Sequence, residues 1–128
     1  MRDIVHNIKA VLAAPAATRS ASFNGDPVDL KGFDSVALVV NTGAVSGAGD
    51  MTVKLQESDT TTSGDFTDVP AARLQGAIAS PLVTATTAKI GYRGFKRYLR
   101  AVLTLNSGTS VSVAATFILG NAADRPVA

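Results

Sequence analysis

The stretch YLRAVLTLNSGTSVSVAATFILG, residues 98–120, has the most regular hydrophobic pattern in the chain. From Leu99, and again from Val111, every second residue is apolar. A period of two places those side chains on one face of a β-strand. Residues 106–109, NSGT, have the composition of a tight turn. The stretch therefore predicts two long strands joined as a β-hairpin.

Strand patterns also occur upstream of this stretch. Residues 36–40, VALVV, are typical of a strand buried on both faces, and residues 51–55 alternate like a half-buried strand. The first of these is expected to end at residues 41–43, followed by a glycine-rich loop to Asp50. Seven or eight strands with polar connections and little helix predict an all-β fold, an antiparallel β-sandwich of jelly-roll-like type.

Residues 1–22 fit two patterns. Ile4, Val5 and Ile8 have helical spacing, and Pro15 would end such a helix, but the same stretch also alternates as a strand does. The β-rich remainder favours an extended N-terminal arm or edge strand over residues 1–22. Residues 23–128 are then expected to form a single β-sandwich domain.

The composition sets limits on function. The 128 residues suffice for one domain, and 17% of them are charged, against about 25% in an average soluble protein. A surface so poor in charge is either covered by hydroxyls and methyls or partly hidden against partners. The absence of cysteine excludes disulfides, thiolate metal sites and thiol nucleophiles. No apolar run approaches the roughly 20 residues of a membrane-spanning helix, so no membrane partner is expected.

The net charge of +2 is unevenly distributed. Residues 1–68 hold 5 basic and 9 acidic side chains (net −4), and residues 69–128 hold 7 basic and 1 acidic (net +6). A basic half can indicate nucleic acid or an acidic partner surface. It can equally indicate two halves that interleave in the fold and neutralise each other.

No catalytic or cofactor motif stands out. His6 is the only histidine, and it lies in the N-terminal segment with no recognisable set of catalytic partners. The glycines of residues 43–49 follow a strand, but no helical pattern and no Lys-Ser/Thr pair complete a phosphate loop. The sequence therefore predicts no enzyme activity and no cofactor.

The acidic stretch at residues 57–68 resembles a calcium loop only in part. Counting Asp59 as the first position places Gly64 at the sixth, but the twelfth is Pro70, where a bidentate glutamate should stand. A loose surface cation is one interpretation. The alternative is a set of turn-forming side chains that cap their own backbone.

Residues 93–100 are the strongest functional candidate, because cations there interleave with Phe95 and Tyr98. The cations are Arg93, Lys96, Arg97 and Arg100. Three interpretations stay open: nucleic-acid binding by stacking and phosphate contacts, ion pairing with the acidic stretch, and docking to an acidic protein surface. The footprint is small for nucleic acid, and no RNA-binding signature matches.

Several blocks in fixed order resemble one family. They are GFDS (32–35), VVNTG (39–43), LQESDT (55–60), SGDFTDV (63–69), GYRG (91–94), KRYLR (96–100) and ILG (118–120). Together they resemble a small structural protein of tailed bacteriophages and prophages, typically encoded beside the major capsid protein. The resemblance extends from about Phe33 to Val127, roughly three quarters of the chain.

The resemblance implies a virion protein, made in the host bacterial cytoplasm, that decorates the outside of the capsid as a cement protein. Its implied partners are the major capsid protein and further copies of itself, as a homotrimer, with no direct nucleic-acid contact. An N-terminal arm could add a strand to such a partner. Alternatives are a ring-forming tail or head-tail connector protein and, more weakly, a surface-binding module for sugars.

The resemblance transfers no functional residues, so the docking candidates come from the sequence itself. They are apolar residues of the N-terminal segment and cations of the basic cluster. The candidates are Ile4, Val5, Ile8, Arg93, Lys96, Arg97 and Arg100.

Overall fold

A computed structural model describes residues 3–79 and 82–123 of the chain. The described residues contain ten β-strands and two single-turn 3₁₀ helices, Ser63–Asp65 and Ala71–Arg73. The strands are β1 (Lys9–Arg19), β2 (Phe23–Asn24), β3 (Val28–Asp29), β4 (Phe33–Ser46), β5 (Asp50–Ser58), β6 (Thr67–Asp68), β7 (Leu74–Gln75), β8 (Thr87–Tyr92), β9 (Tyr98–Ser107) and β10 (Ser110–Ala122). Over these residues, no helix has the length and apolarity needed to cross a membrane.

The strands form two antiparallel sheets. Sheet A has the order β1-β10-β4-β8-β7, and sheet B has the order β2-β9-β5-β6, with β3 also paired to β9. The alternation of buried residues along β10 in sheet A and along β5 in sheet B turns one face of each sheet inward. The prediction of an all-β antiparallel sandwich is confirmed.

The strand order is that of a jelly roll. Counting β2 with β3 as one interrupted strand on β9, and leaving out the two-residue edge strand β7 that pairs antiparallel with β8, gives eight strands in two sheets of four. The chain changes sheet at every connection except the one from β5 to β6, and the first and last strands are neighbours in sheet A. This order supports the predicted jelly-roll-like type directly.

The predicted β-hairpin of residues 98–120 is wrong. β9 pairs with β5 in sheet B, whereas β10 lies between β1 and β4 in sheet A. Leu103 and Phe117 are both fully buried, so the two alternating strands place their apolar faces against each other across the sandwich. The turn between them crosses from one sheet to the other through Gly108, whose φ of +82° favours glycine.

The predicted loop from residue 41 to Asp50 is also shorter than expected. β4 continues to Ser46 because it stays paired with β10, with Thr42 opposite Val113 and Val45 opposite Val111. The Thr42 hydroxyl donates to the carbonyl oxygen of Thr86 at 3.0 Å, which gives this polar residue a place inside a strand. Only residues 47–49 connect β4 to β5.

β1 occupies one edge of sheet A. It pairs with β10 from Lys9 opposite Leu119 to Arg19 opposite Val111, with two irregularities in register. It contributes two small side chains to the core, Ala13 and Ala14, which are fully buried. Residues 9–19 are therefore an edge strand of the same sandwich, preceded by a turn at residues 4–7.

The core fills the space between the sheets and receives aliphatic side chains from both. Its largest fully buried members are Phe117, Leu38, Met51, Leu99, Leu103 and Leu119. Close packing of this kind excludes water from the middle of the molecule.

Candidate docking surface

The strand register brings most of the predicted docking residues to one end of the sandwich. Lys9, Val36 and Tyr92 share one level across sheet A, through their pairing with Leu119 and with each other. Residues 3–8, 30–32 and 93–97 therefore all lie beyond this level, and we call them together the basic end. Six candidates belong to it: Ile4, Val5, Ile8, Arg93, Lys96 and Arg97.

Arg97 is held by Asp29. Its Nε donates to Oδ1 at 3.0 Å and its Nη2 donates to Oδ2 at 2.9 Å, a two-point contact that fixes the plane of the guanidinium. Asp29 can reach it because β3 pairs with β9 and places Asp29 opposite Tyr98. The hydrogen bonds from Arg97 lower the pKa of the Asp29 carboxyl to about 2.

We expect Asp29→Asn to remove a pH-dependent part of the stability. A folded-state pKa near 2 against about 3.9 in the unfolded chain means that this contribution is full above pH about 4 and is lost as pH falls towards 2. Both side chains are more than two-fifths exposed, so the effect should stay below about 1 kcal/mol. Urea unfolding at pH about 6 and about 2.5 measures it, with Asp34→Asn as control. A difference between wild type and variant that did not shrink in acid would contradict the assignment.

Lys96 also forms an ion pair with a carboxylate, unlike Arg93 among the described residues. The Lys96 Nζ lies 2.8 Å from Asp59 Oδ2, which is one of the pairings that the sequence suggested. The Arg93 side chain is exposed, and no carboxylate of the described residues lies within ion-pair distance of it. Its backbone N–H donates to the carbonyl oxygen of Arg73, which fixes the start of the loop.

Arg100 lies apart from the other candidates, on the outer face of sheet B. It is 8% exposed, donates twice to Gln56 Oε1 (2.9 and 2.7 Å) and once to Ser63 Oγ, and stacks on Phe66. These contacts tie β9 to β5 and to the loop before β6. They favour a structural role for Arg100.

A buried cluster around Glu57 joins the two sheets and was missed from the sequence. Glu57 in β5 is 3% exposed, and both of its carboxylate oxygens accept from Arg73 Nη1, at 2.7 and 2.6 Å. The Tyr92 hydroxyl in β8 donates to Oε1 at 2.9 Å. Burial and this hydrogen bond raise the pKa of Tyr92 to about 12. The signal was available: Met51, Val53 and Leu55 face inward, so Glu57 follows them on the buried face.

The basic end also exposes large apolar side chains. Phe95 is 77% exposed, although Arg73 lies over its ring at 4.7 Å. It borders a cleft of about 360 Å³ between the connection from β3 to β4 and the loop from β8 to β9. Ile4 and Val5 are 57% and 75% exposed at the same end. Exposed apolar groups rimmed by charge are typical of a protein-binding surface.

The side chains of the acidic stretch, residues 57–68, bind other residues of the same chain. Asp59 binds Lys96, Asp65 accepts from the Thr60 hydroxyl, and Asp68 accepts from Lys54 and Gln56. The described ranges contain no group of three or more metal-ligating side chains. Three ion pairs between described residues join the acidic first half to the basic second half, which confirms that the halves interleave. His6 is exposed and pairs with Asp3.

Comparison with known proteins gives one similar structure. No protein-family model matches the chain, and no curated protein does. The chain is similar to a chain in a solved structure of infectious bursal disease virus, Gx strain, with a TM-score of 0.43 and 13% identity over 92% of this chain and 34% of that one. It thus spans about a third of the length of the solved chain. The assignment of the jelly roll rests on the strand order described above.

Proposed function

We propose that this chain is a non-enzymatic virion structural protein that decorates the outer surface of a phage head and stabilises the shell. The observation that carries the proposal is the basic end, where exposed Phe95, Ile4 and Val5 accompany Arg93, a cation with no carboxylate partner among the described residues. Jelly rolls occur in viral capsid domains but also in lectins, so the fold alone does not select this function. The resemblance of the sequence blocks to phage structural proteins supports it.

The proposed partner of the basic end is the major capsid protein. Phe95 has the aromatic anchor chemistry that concentrates binding energy in protein interfaces. Arg93 would meet a carboxylate on the shell, because its charge is not neutralised within the chain's described part. Lys96 and Arg97 hold the loop in place through Asp59 and Asp29, so the anchor is presented in one orientation.

The proposal is tested by adding purified protein to phage heads that lack it and imaging the shells. Regular density on the outer lattice, with shells that resist heat better, is the expected result. We expect Phe95→Ser and Arg93→Glu each to weaken binding at least about tenfold, equivalent to about 1.4 kcal/mol. Ala44→Glu, at the opposite end of β4, is the control and should bind normally.

Two other results have definite meanings. Bare shells, with the protein found instead at the vertex or along tails, would replace the decoration role by the ring-forming tail or connector alternative. Normal lattice binding by both basic-end variants would retain decoration and reject the basic end as its surface. The deletion of residues 1–14 is unsuitable as a test, because it removes the buried Ala13 and Ala14 of β1.

A further inference from the structure

The outer face of sheet A carries almost no charge. Outward-facing positions on β10, β4 and β8 alternate with the buried ones, and the pairing with β10 identifies their neighbours on β1. Among the described residues at these positions only Lys89 is charged. The apolar members of this face are Ala10, Leu12, Ala37, Val39, Ala114 and Ile118, with Thr116 between Leu12 and Val39. Leu12 is 57% exposed although it stands in the middle of a strand.

The outer face of sheet B has a different chemistry. Lys54, Gln56 and Arg100 project from β5 and β9, and Asp68 of β6 accepts from the first two. Arg100 donates to Gln56 in turn. This face covers itself with a hydrogen-bonded polar network, as a solvent-exposed face does. Of the two outer faces, that of sheet B therefore carries most of the charged side chains.

The size of the uncharged face matches what self-association needs. Four strands spaced about 4.8 Å apart give a width of about 19 Å, and the eight residue steps from Ser112 to Gly120 give a length of about 27 Å. The flat area is roughly 500 Å² per copy, so two copies in contact bury about 1,000 Å², the size that a specific interface should reach.

We infer that the outer face of sheet A is the surface through which this chain binds a second copy of itself. When β1 of each copy lies over β8 of the other, the two Lys89 side chains do not oppose each other, since Lys89 lies on β8, three strands away from Leu12 on β1. An unlike partner would gain no charge-based recognition here, whereas the basic end supplies it. The inference goes beyond the proposed shell contact and assigns self-association to a separate surface.

The test is the mass of the purified protein by sedimentation equilibrium, and it needs no phage heads. We expect wild type to exceed the 13.1 kDa of one chain, and Thr116→Lys to shift the association constant at least about tenfold towards the single chain. Thr104→Lys makes the same change at a half-buried threonine on the outer face of sheet B and should leave the mass unchanged. Leu12→Ser removes apolar area without adding charge and should also weaken association.

Thermal unfolding of each variant checks that it remains folded. Wild type that stays at the mass of one chain, or that associates equally well with Thr116→Lys and Leu12→Ser, overturns the inference. Equal weakening by Thr104→Lys would do the same, because the effect would not belong to this face. A single-chain mass would not contradict shell decoration, and failure to bind shells would not contradict self-association. The two tests are therefore independent.

Discussion

Replacing Arg73 by alanine will lower the free energy of unfolding by about 3 kcal/mol. The substitution leaves the Glu57 carboxylate, whose side chain is 3% exposed, without the cation that contacts both of its oxygens. Removing one partner of a buried pair costs about 3–5 kcal/mol, and the partial exposure of Arg73 places the effect at the lower end. Urea unfolding at neutral pH measures it.

The control for this prediction is Lys54→Ala. This substitution also removes an ion pair, the one between Lys54 and Asp68, but both side chains are more than two-fifths exposed. The expected loss in free energy of unfolding is therefore below about 1 kcal/mol. A second variant separates charge from packing: adding Glu57→Gln to Arg73→Ala should recover part of the loss, because a neutral amide is less costly to bury than a carboxylate. Equal losses in Arg73→Ala and Lys54→Ala would show that the cluster is not effectively buried.

Replacing Phe117 by alanine will lower the free energy of unfolding by about 4 kcal/mol. Phe117 has no exposed surface and lies in the middle of β10, with Val11 beside it on β1 and Leu38 on β4. Truncating a buried phenylalanine removes its transfer free energy and leaves a cavity that the sheets can only partly close. A domain with about 5–15 kcal/mol of stability loses a large share of it.

Phe95→Ala is the matched control. Phe95 is 77% exposed, so its loss removes little burial and two cation–π contacts, with Arg73 and Lys96. The expected change in stability is below about 1 kcal/mol. Denaturant unfolding of both variants, with the slope of free energy against denaturant compared, checks the prediction. Similar losses in the two variants would mean that the centre of the sandwich is loosely packed.

The sequence predicted which faces of the strands are buried. The alternation along β10 identified Val113, Phe117 and Leu119 as one set, and all three are buried. It could not predict which strands are neighbours, because an alternating pattern specifies a face and not a partner. The short turn at Gly108 fits a hairpin and a crossing between sheets equally well. The long-range pairing of β10 with β1 and β4 decided between them.

The candidate site was only partly predictable for a related reason. The basic cluster was visible, and so was the pairing of Lys96 with the acidic stretch. The partner of Arg97 was not, because Asp29 is 68 residues away along the chain and meets it only through the pairing of β3 with β9. Glu57 could have been recognised, since its position continues an inward-facing series.

The position of β10 between β1 and β4 governs when this protein can fold during its synthesis. β1 is synthesised early, but among the described strands it pairs only with β10, the last of the ten in chain order. At about 5–20 residues per second, roughly 100 residues of translation separate the two, so β1 waits for at least about 5 s. Sheet A is therefore completed only after β10 has emerged, and a chain that terminates before β10 lacks the strand that joins β1 to β4.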